Sequence, residues 1–389
     1  MVGEVGDNVV AGNAVVVNSV LENNVAENNV AENNGSRQPG PPDLVSGWYA
    51  LGLARELERG SLWRRRLHGR ELVVGRTESG RLLALDAYCP HLGAHVGYGG
   101  TVVGETIRCP FHGFRYDGGG HCVATGYGKA VPRSAVMETW PVREVGGVIV
   151  AWAGPPGTEP GWEIPPLDMC GWSPWKVTRY AVSGHPQETT ENSVDLGHFS
   201  VVHGYRDVAQ TRPLDTDGPH LTIGYGMTRQ RRRAGIEWPA ISTTYDIDVW
   251  GLGWSRVEVQ VRWPRLRMRL LVLATQVARG EVELRLAVSM PRRRDAPGAG
   301  SDLSRVPPAL AAALVVSPLS RAYTNDVRQD FSIWQHKRYL ARPALAAGDG
   351  PIAPYRRWAQ QFYFPTGATP GAAGEREAKL SGGSAGSPW

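Results

Sequence analysis

Two short phrases, "CPHLG" at Cys89–Gly93 and "CPFHG" at Cys109–Gly113, each set a cysteine within three residues of a histidine. Seventeen residues separate His91 from Cys109, and the whole chain holds only 4 cysteines and 10 histidines. Thiolates and imidazoles are ligands for zinc, copper and iron–sulfur clusters, so metal binding is the first chemistry to consider. A structural zinc ion would accept two cysteines and two histidines. The shared proline and glycine would instead shape two matching loops that can face each other. A second phrase, "ENSVDLGHFSVVH" (Glu191–His203), carries Asn192, Asp195, His198 and His203. Two histidines and one carboxylate hold ferrous iron on one face and leave positions open for oxygen and substrate. Asp195 and His198 are three apart and share a helical face. His203 lies five beyond His198, about 140° further round at about 100° per residue. The helix must therefore bend, or end before His203, if both histidines bind one ion. A further carboxylate is offered by "NDVRQDFSIWQHKRY" (Asn325–Tyr339), as Asp326 or Asp330.

The first pair of phrases resembles the Rieske motif, in which two cysteines bind one iron of a [2Fe–2S] cluster and two histidines the other. That resemblance assigns Cys89, His91, Cys109 and His112 to the cluster. In respiratory Rieske proteins a disulfide pins the loops and a serine donates to the cluster. Ala94 and Phe111 occupy the disulfide positions here and Phe114 the serine position. Fewer hydrogen bonds to the reduced cluster imply a lower potential, which is the oxygenase pattern. The second phrase resembles the N-x-x-D-x-x-H-x-x-x-x-H signature of Rieske oxygenase catalytic domains. Their "D-x-x-I-W" phrase selects Asp330, through Ile333 and Trp334, as third ligand of a mononuclear Fe(II) beside His198 and His203. In such proteins the aspartate equivalent to Asp195 bonds an iron-ligand histidine and a cluster histidine of the neighbouring subunit in a trimer. The chain is most similar to oxygenase components of 3-ketosteroid 9α-hydroxylases and to Neverland-type cholesterol 7-desaturases, from Gly47 to Phe364. The phrases "GTEPGWEIP" (Gly157–Pro165) and Asp330–Tyr363 share in the likeness. His95 departs from it, inside the first cluster loop where relatives carry an uncharged residue.

The resemblance implies an α+β protein: an N-terminal all-β Rieske domain, then a helix-grip catalytic domain with an antiparallel sheet and flanking helices. It implies a terminal oxygenase that hydroxylates a hydrophobic, sterol-like molecule with O2, or desaturates it. Ring-hydroxylating relatives with the same metals leave another hydrophobic or aromatic substrate as an alternative. Electrons would come from a separate NAD(P)H reductase, directly or through a ferredoxin, because no flavin or nicotinamide fingerprint is visible. A homotrimer follows from the same resemblance.

The elements that must position these residues are partly visible. Residues 1–43 contain "VLENNVAENNVAENN", three copies of a five-residue unit that cannot bury enough surface to offset chain entropy, so a disordered leader is expected. Residues 44–156 read as the β domain, with "ELVVGRTESGRLLALDAYC" a hairpin that delivers Cys89 at a strand end and "GVIVAWAG" a closing strand. Residues 157–366 form the catalytic domain: Gln187–Gly204 reads as helix, "STTYDIDVW", "SRVEVQVRW" and "RLRMRLLVLATQVARGEVELRLAVSM" as strands, and roughly Pro318–Leu340 as a last helix. Residues 367–389 are expected to be a flexible tail.

Composition bounds the rest. At 389 residues, 42% hydrophobic and 20% charged, the chain reads as soluble and globular. No apolar run approaches the ~18–20 residues of a membrane span. The N-terminus lacks a secretory pattern, and with so few cysteines a cytoplasmic setting is expected. The net charge of +5 includes arginine clusters at 64–66, 231–233 and 292–294. They lack the motif context of nucleic-acid binding and read as solvated surface, or secondly as a docking face for an acidic partner. Cys122 and Cys170 have no paired histidine and read as ordinary cysteines. Two other classes make distinct predictions: an electron carrier would hold no mononuclear iron, and a zinc-stabilised binding module would be colourless.

Overall fold

The computed structural model describes residues 44–155, 157–230, 232–233, 236–237, 240–262, 265–291 and 316–364. The expected leader and tail lie outside them, as do the arginines at 292–294. The first module runs through β1 (Gly47–Leu53), β2 (Leu62–Leu67), β3 (Arg70–Arg76), β4 (Leu82–Asp86), β5 (Thr101–Val103), β6 (Thr106–Arg108), β7 (Arg115–Tyr116), β8 (Cys122–Ala124), β9 (Val142–Val145) and β10 (Val148–Ala153). They form three small sheets, ordered β1-β10-β9, β2-β3-β4 and β5-β6-β7-β8, with antiparallel pairing throughout.

The second module begins with β11 (Lys176–Ser183), α1 (Pro186–Glu191) and α2 (Gly197–Val201). There follow β12 (Arg206–Asp217), β13 (His220–Arg229), the short pair β14 (Arg232–Arg233) and β15 (Ile236–Glu237), β16 (Ile241–Trp250), β17 (Trp254–Val261), β18 (Leu266–Ala278) and β19 (Glu281–Ser289). Two helices, α3 (Ser317–His336) and α4 (Ile352–Ala359), end the described chain. Seven of these strands make one antiparallel sheet, ordered β11-β19-β18-β17-β16-β13-β12. Along β13 the alternate residues Leu221, Ile223, Tyr225 and Met227 enter the core beneath α4, as a half-buried strand of period two requires. Helix α3 packs on β11 and β19, and α1 on β18.

The sequence expectation of one helix over Gln187–Gly204 is corrected. Asn192–Leu196 breaks it into two short helices. Asp195 turns its carboxylate onto the backbone N–H of His198 at 3.2 Å, a capping bond that competes with helix continuation. Helix α2 ends at Val201, before His203, which the spacing of the histidines had allowed. The last helix also stops earlier than expected, at His336, and Lys337 is extended.

Strands β1 and β10 are buried on both faces and serve two cores. Trp48, Ala50, Val148, Val150 and Trp152 face the large sheet, meeting Trp254, Leu271 and Leu273. Tyr49, Leu51, Ile149 and Ala151 face the first module, meeting Leu67, Leu72 and Trp140. This strand pair is therefore a common wall. A bulge between Ala50 and Gly52 removes carbonyls from the β1–β10 ladder. Buried polar groups need partners, and the second module supplies them: Arg285 donates to Ala50 O at 2.7 Å and Leu51 O at 3.0 Å, and Thr275 Oγ1 to Ala50 O at 2.7 Å. The tip of the β2–β3 hairpin adds His68 N to Gln276 O and Gly69 N to Val277 O.

Arg285 is only 4% exposed and ion-paired with Glu283. Arg285→Ala should destabilise the protein by about 3 kcal/mol, the usual result of breaking a buried pair and orphaning its partners. Arg66→Ala, which loses only an exposed pair with Glu281, should leave the denaturation midpoint unchanged. Equal midpoints for the two variants in urea melts would refute this account of the wall.

Candidate functional site

The two cysteine–histidine phrases fold into copies of one loop. Cys89 N–H donates to Ala94 O and Gly93 N–H to Cys89 O; Cys109 N–H donates to Phe114 O and Gly113 N–H to Cys109 O. Each loop turns through a glycine in the left-handed region, Gly93 at φ 73° and Gly113 at φ 67°, which explains the glycine in both phrases. One loop follows β4 and the other joins β6 to β7. Cys89 and Cys109 are both 2% exposed. Burial raises the Cys109 pKa, and the Cys89 thiol within hydrogen-bond reach adds to the rise. The His91 and His112 rings lie 4.7 Å apart, centroid to centroid. His112 Nδ1 is buried with no hydrogen-bond partner, as a nitrogen reserved for a metal would be. Two converging thiols on one side and two imidazoles on the other fit a [2Fe–2S] cluster of the Rieske kind. The pocket is dressed by aromatics: Phe114 stacks on His91 at 4.3 Å, and the Tyr116 hydroxyl lies 3.1 Å from Cys89 Sγ. His95 points elsewhere, between Tyr88 and Tyr98, with Nε2 3.6 Å from Glu71.

The second constellation lies in the catalytic module. His198, His203 and Asp330 bring their ligand atoms within 4.8 Å of one another. Each imidazole has its Nδ1 engaged. That of His198 lies 2.8 Å from the Asp195 carbonyl oxygen, so it carries the proton and leaves Nε2 as the free lone pair. His203 Nδ1 is 3.1 Å from Gln329 Oε1, and its Nε2 faces Asp330 Oδ2 at 3.5 Å. Burial works to lower the His203 pKa, but Asp330 outweighs it and holds the ring above its ordinary value. Burial likewise works to raise the Asp195 pKa, and the bonds from His198 reverse that, so this carboxylate sits below its usual range. Asp326 is not part of the trio; it pairs with Arg229. Asn192 Oδ1 accepts from Trp334 Nε1 at 3.3 Å. Gln329 and the Asp195 carbonyl escaped the sequence reading, since neither is a metal-ligand type. The trio lines a pocket together with Phe199, Met227, Ile247, Val257, Leu270 and Val272.

The chain matches two family models: "Rieske [2Fe-2S] domain" over residues 47–137 and "3-Ketosteroid 9alpha-hydroxylase C-terminal domain" over residues 151–363. A cholesterol 7-desaturase of Ciona intestinalis is 32% identical over 348 residues, covering 83% of this chain and 69% of that protein. A 3-ketosteroid-9-alpha-monooxygenase oxygenase component of Rhodococcus rhodochrous is 28% identical over 333 residues, covering 83% and 85%. Among solved structures, dicamba monooxygenase bound to dicamba superposes with a TM-score of 0.56 at 20% identity, over 81% of this chain and 96% of that one. Pseudomonas putida NdmA with caffeine gives 0.60 at 18% identity, over 80% and 89%. A Rieske domain followed by such a catalytic domain is the architecture of a Rieske oxygenase, a class that joins a [2Fe–2S] cluster to mononuclear non-haem iron. The chain belongs to that family, in the group defined by the 3-ketosteroid 9α-hydroxylase C-terminal domain.

The packing of the second cluster loop is testable. Gly126 donates to His112 O at 3.1 Å, and a Cβ on Gly126 would collide with that same oxygen. Gly126→Ala should lower iron, sulfide and visible absorbance per chain while the far-ultraviolet dichroism is kept. Full cluster loading would contradict the fit described here.

Proposed function

We propose that this chain is the terminal oxygenase of a multicomponent system, hydroxylating a hydrophobic, sterol- or steroid-like molecule with O2. The observation that carries the reading is the His198/His203/Asp330 trio in the lining of a largely apolar pocket. Fe(II) held there would supply O2 activation, with electrons from the [2Fe–2S] cluster, so that a C–H hydrogen is removed and oxygen inserted. The side chains do the rest. The Asp195 carbonyl and Gln329 fix the two imidazoles with Nε2 forward, Asp330 supplies the anionic ligand, and the apolar walls exclude water and hold the substrate against the metal. Removal of a second hydrogen in place of oxygen insertion gives desaturation, and the likeness to cholesterol 7-desaturases supports that second reading.

The electron source in this reading is a separate NAD(P)H reductase, directly or through a ferredoxin. The assembly is a homotrimer in which Asp195 bridges His198 and a cluster histidine of the next subunit. In support, the Asp195 side chain is 34% exposed although bonded to His198, and Leu92 and Phe111 beside the cluster histidines are 65% and 61% exposed. Among the described residues no helix is long and apolar enough to cross a membrane.

Low-temperature EPR with metal analysis tests the reading on anaerobically purified protein. A reduced Rieske signal with about three irons per chain is expected, two from the cluster and one from the facial site. Two irons that stay two after Fe(II) is added back would leave an electron carrier, and zinc without a signal would refute the oxygenase. Asp330→Ala should lose one iron per chain and Asp326→Ala none; the reverse would move the third ligand to Asp326. Asp195→Asn should keep cluster, iron and fold while turnover falls at least about tenfold. Full turnover would remove the bridge.

A further inference from the structure

The largely apolar pocket also carries polar side chains, and a group of them lies on and beside α3. On α3, Tyr323, Asp326 and Asp330 recur at intervals of three and four, so they share a face, and all three line the pocket. Asp330 belongs to the trio. Asp326, one turn earlier, accepts a two-pronged bond from Arg229 and another from the Tyr205 hydroxyl at 3.2 Å. Tyr245 also lines the pocket; burial holds its pKa above the usual phenol value, and Tyr205, Asp326 and Arg229 are near enough to act on it. Burial, and after it the neighbouring Tyr245 and Asp326, holds the Tyr323 pKa above the usual phenol value, and its hydroxyl has no hydrogen-bond partner among the described residues.

A purely structural account covers part of this. The Arg229–Asp326 pair ties β13 to α3, and Tyr205 completes the Asp326 carboxylate. Such an account leaves the Tyr323 hydroxyl unexplained: Tyr323 is half-buried on the pocket lining, and a phenylalanine would cover the same apolar surface there.

We infer that Tyr323 and Tyr245, which line the pocket beside the bonded cluster of Asp326, Tyr205 and Arg229, form a hydrogen-bonding station for an oxygen function on the substrate. A phenol donates to a ketone, and both donates to and accepts from a hydroxyl. The helix supplies the ruler. At about 1.5 Å rise per residue, Asp326 sits about 6 Å and Tyr323 about 10 Å along α3 from Asp330. The substrate is then a rigid apolar molecule whose carbonyl or hydroxyl lies on the order of 6–10 Å from the carbon offered to the metal trio. By anchoring that oxygen, the station decides which carbon is attacked. This inference rests on the steroid-like reading of the same pocket and adds the group by which such a molecule is recognised.

Equilibrium dialysis on the iron-loaded protein, in the absence of reductant and so without turnover, tests it with two ligands: a saturated 3-ketosteroid and the same steroid lacking the ketone oxygen. Wild type should prefer the ketone. Tyr323→Phe should weaken ketone binding about tenfold, equivalent to about 1.4 kcal/mol, and leave the deoxy ligand unchanged. Tyr245→Phe should act in the same direction. In turnover KM should rise with little change in kcat, and the product should lose positional purity. Unchanged preference in both variants, or equal weakening of both ligands, overturns the station while the steroid-like reading stands. Failure of the wild type to bind either ligand overturns that reading and the inference with it.

Discussion

His203 and Gln329 are 126 residues apart in sequence, yet the bond between them fixes one edge of the candidate metal site. The constraint on the catalytic module is to hold the α1–α2 segment against α3 closely enough for two imidazoles and a carboxylate to share one ion. Most of the ties are ion pairs onto buried carboxylates. Lys337, at the end of α3, reaches Glu188 and lies 3.8 Å from Glu191. Arg356 of α4 grips Glu191 with two bonds of 2.6 and 2.8 Å, and the Tyr355 hydroxyl donates to Gln187 O at 2.9 Å. Every residue of α1 is buried although five of its six side chains, all but that of Pro186, are polar. A helix of that composition is tolerated inside a protein only when its charges are met. Burial raises the Glu188 pKa, and Lys337 opposes the rise.

A second constraint acts on the imidazoles. A neutral histidine offers a metal whichever nitrogen has no proton, so a site needs an acceptor for the other N–H as much as it needs the ligand itself. Breaking the helix at Asn192–Leu196 meets that need at His198. The break exposes the Asp195 carbonyl, which would otherwise be engaged within a continuous helix, and places it 2.8 Å from His198 Nδ1. One residue thus works twice, with its carbonyl orienting the ring and its carboxylate capping α2. At His203 the acceptor is a side chain from α3, so the helix that carries Asp330 also sets the tautomer of its partner.

Ligand types and spacing made the metal chemistry legible in sequence, and the flanking Pro, Gly, Ile and Trp residues carried the family likeness. The hairpin before Cys89 and the strands after Ile241 were readable because their apolar residues alternate. What was not legible depends on distant contacts. Glutamine at 329 looks like any surface residue until His203 is beside it. Strand β12 is largely exposed and weakly patterned. Near 156, where a domain boundary was expected, the core is shared, since β1 and β10 give alternate side chains to each module. Propensity favoured a single helix over Gln187–Gly204, and a local capping bond at Asp195 overrode it.

The cluster loops are asymmetric in a way that follows from their chemistry. Cys89 and Cys109 are sealed beneath Val96, Ile107, Phe114 and Tyr116, while His91 and His112 sit at the half-exposed tips of the loops. Packing the sulfurs in apolar surroundings limits solvent access and keeps the local dielectric low. Neutral imidazoles carry no charge to bury, so the outward edge can be histidine without a desolvation cost, where a pair of thiolates would have needed counter-charges. Leu92 and Phe111 extend that edge with apolar surface. With cysteines on the inner side and histidines on the outer, one small β module could both shield a [2Fe–2S] cluster and present it.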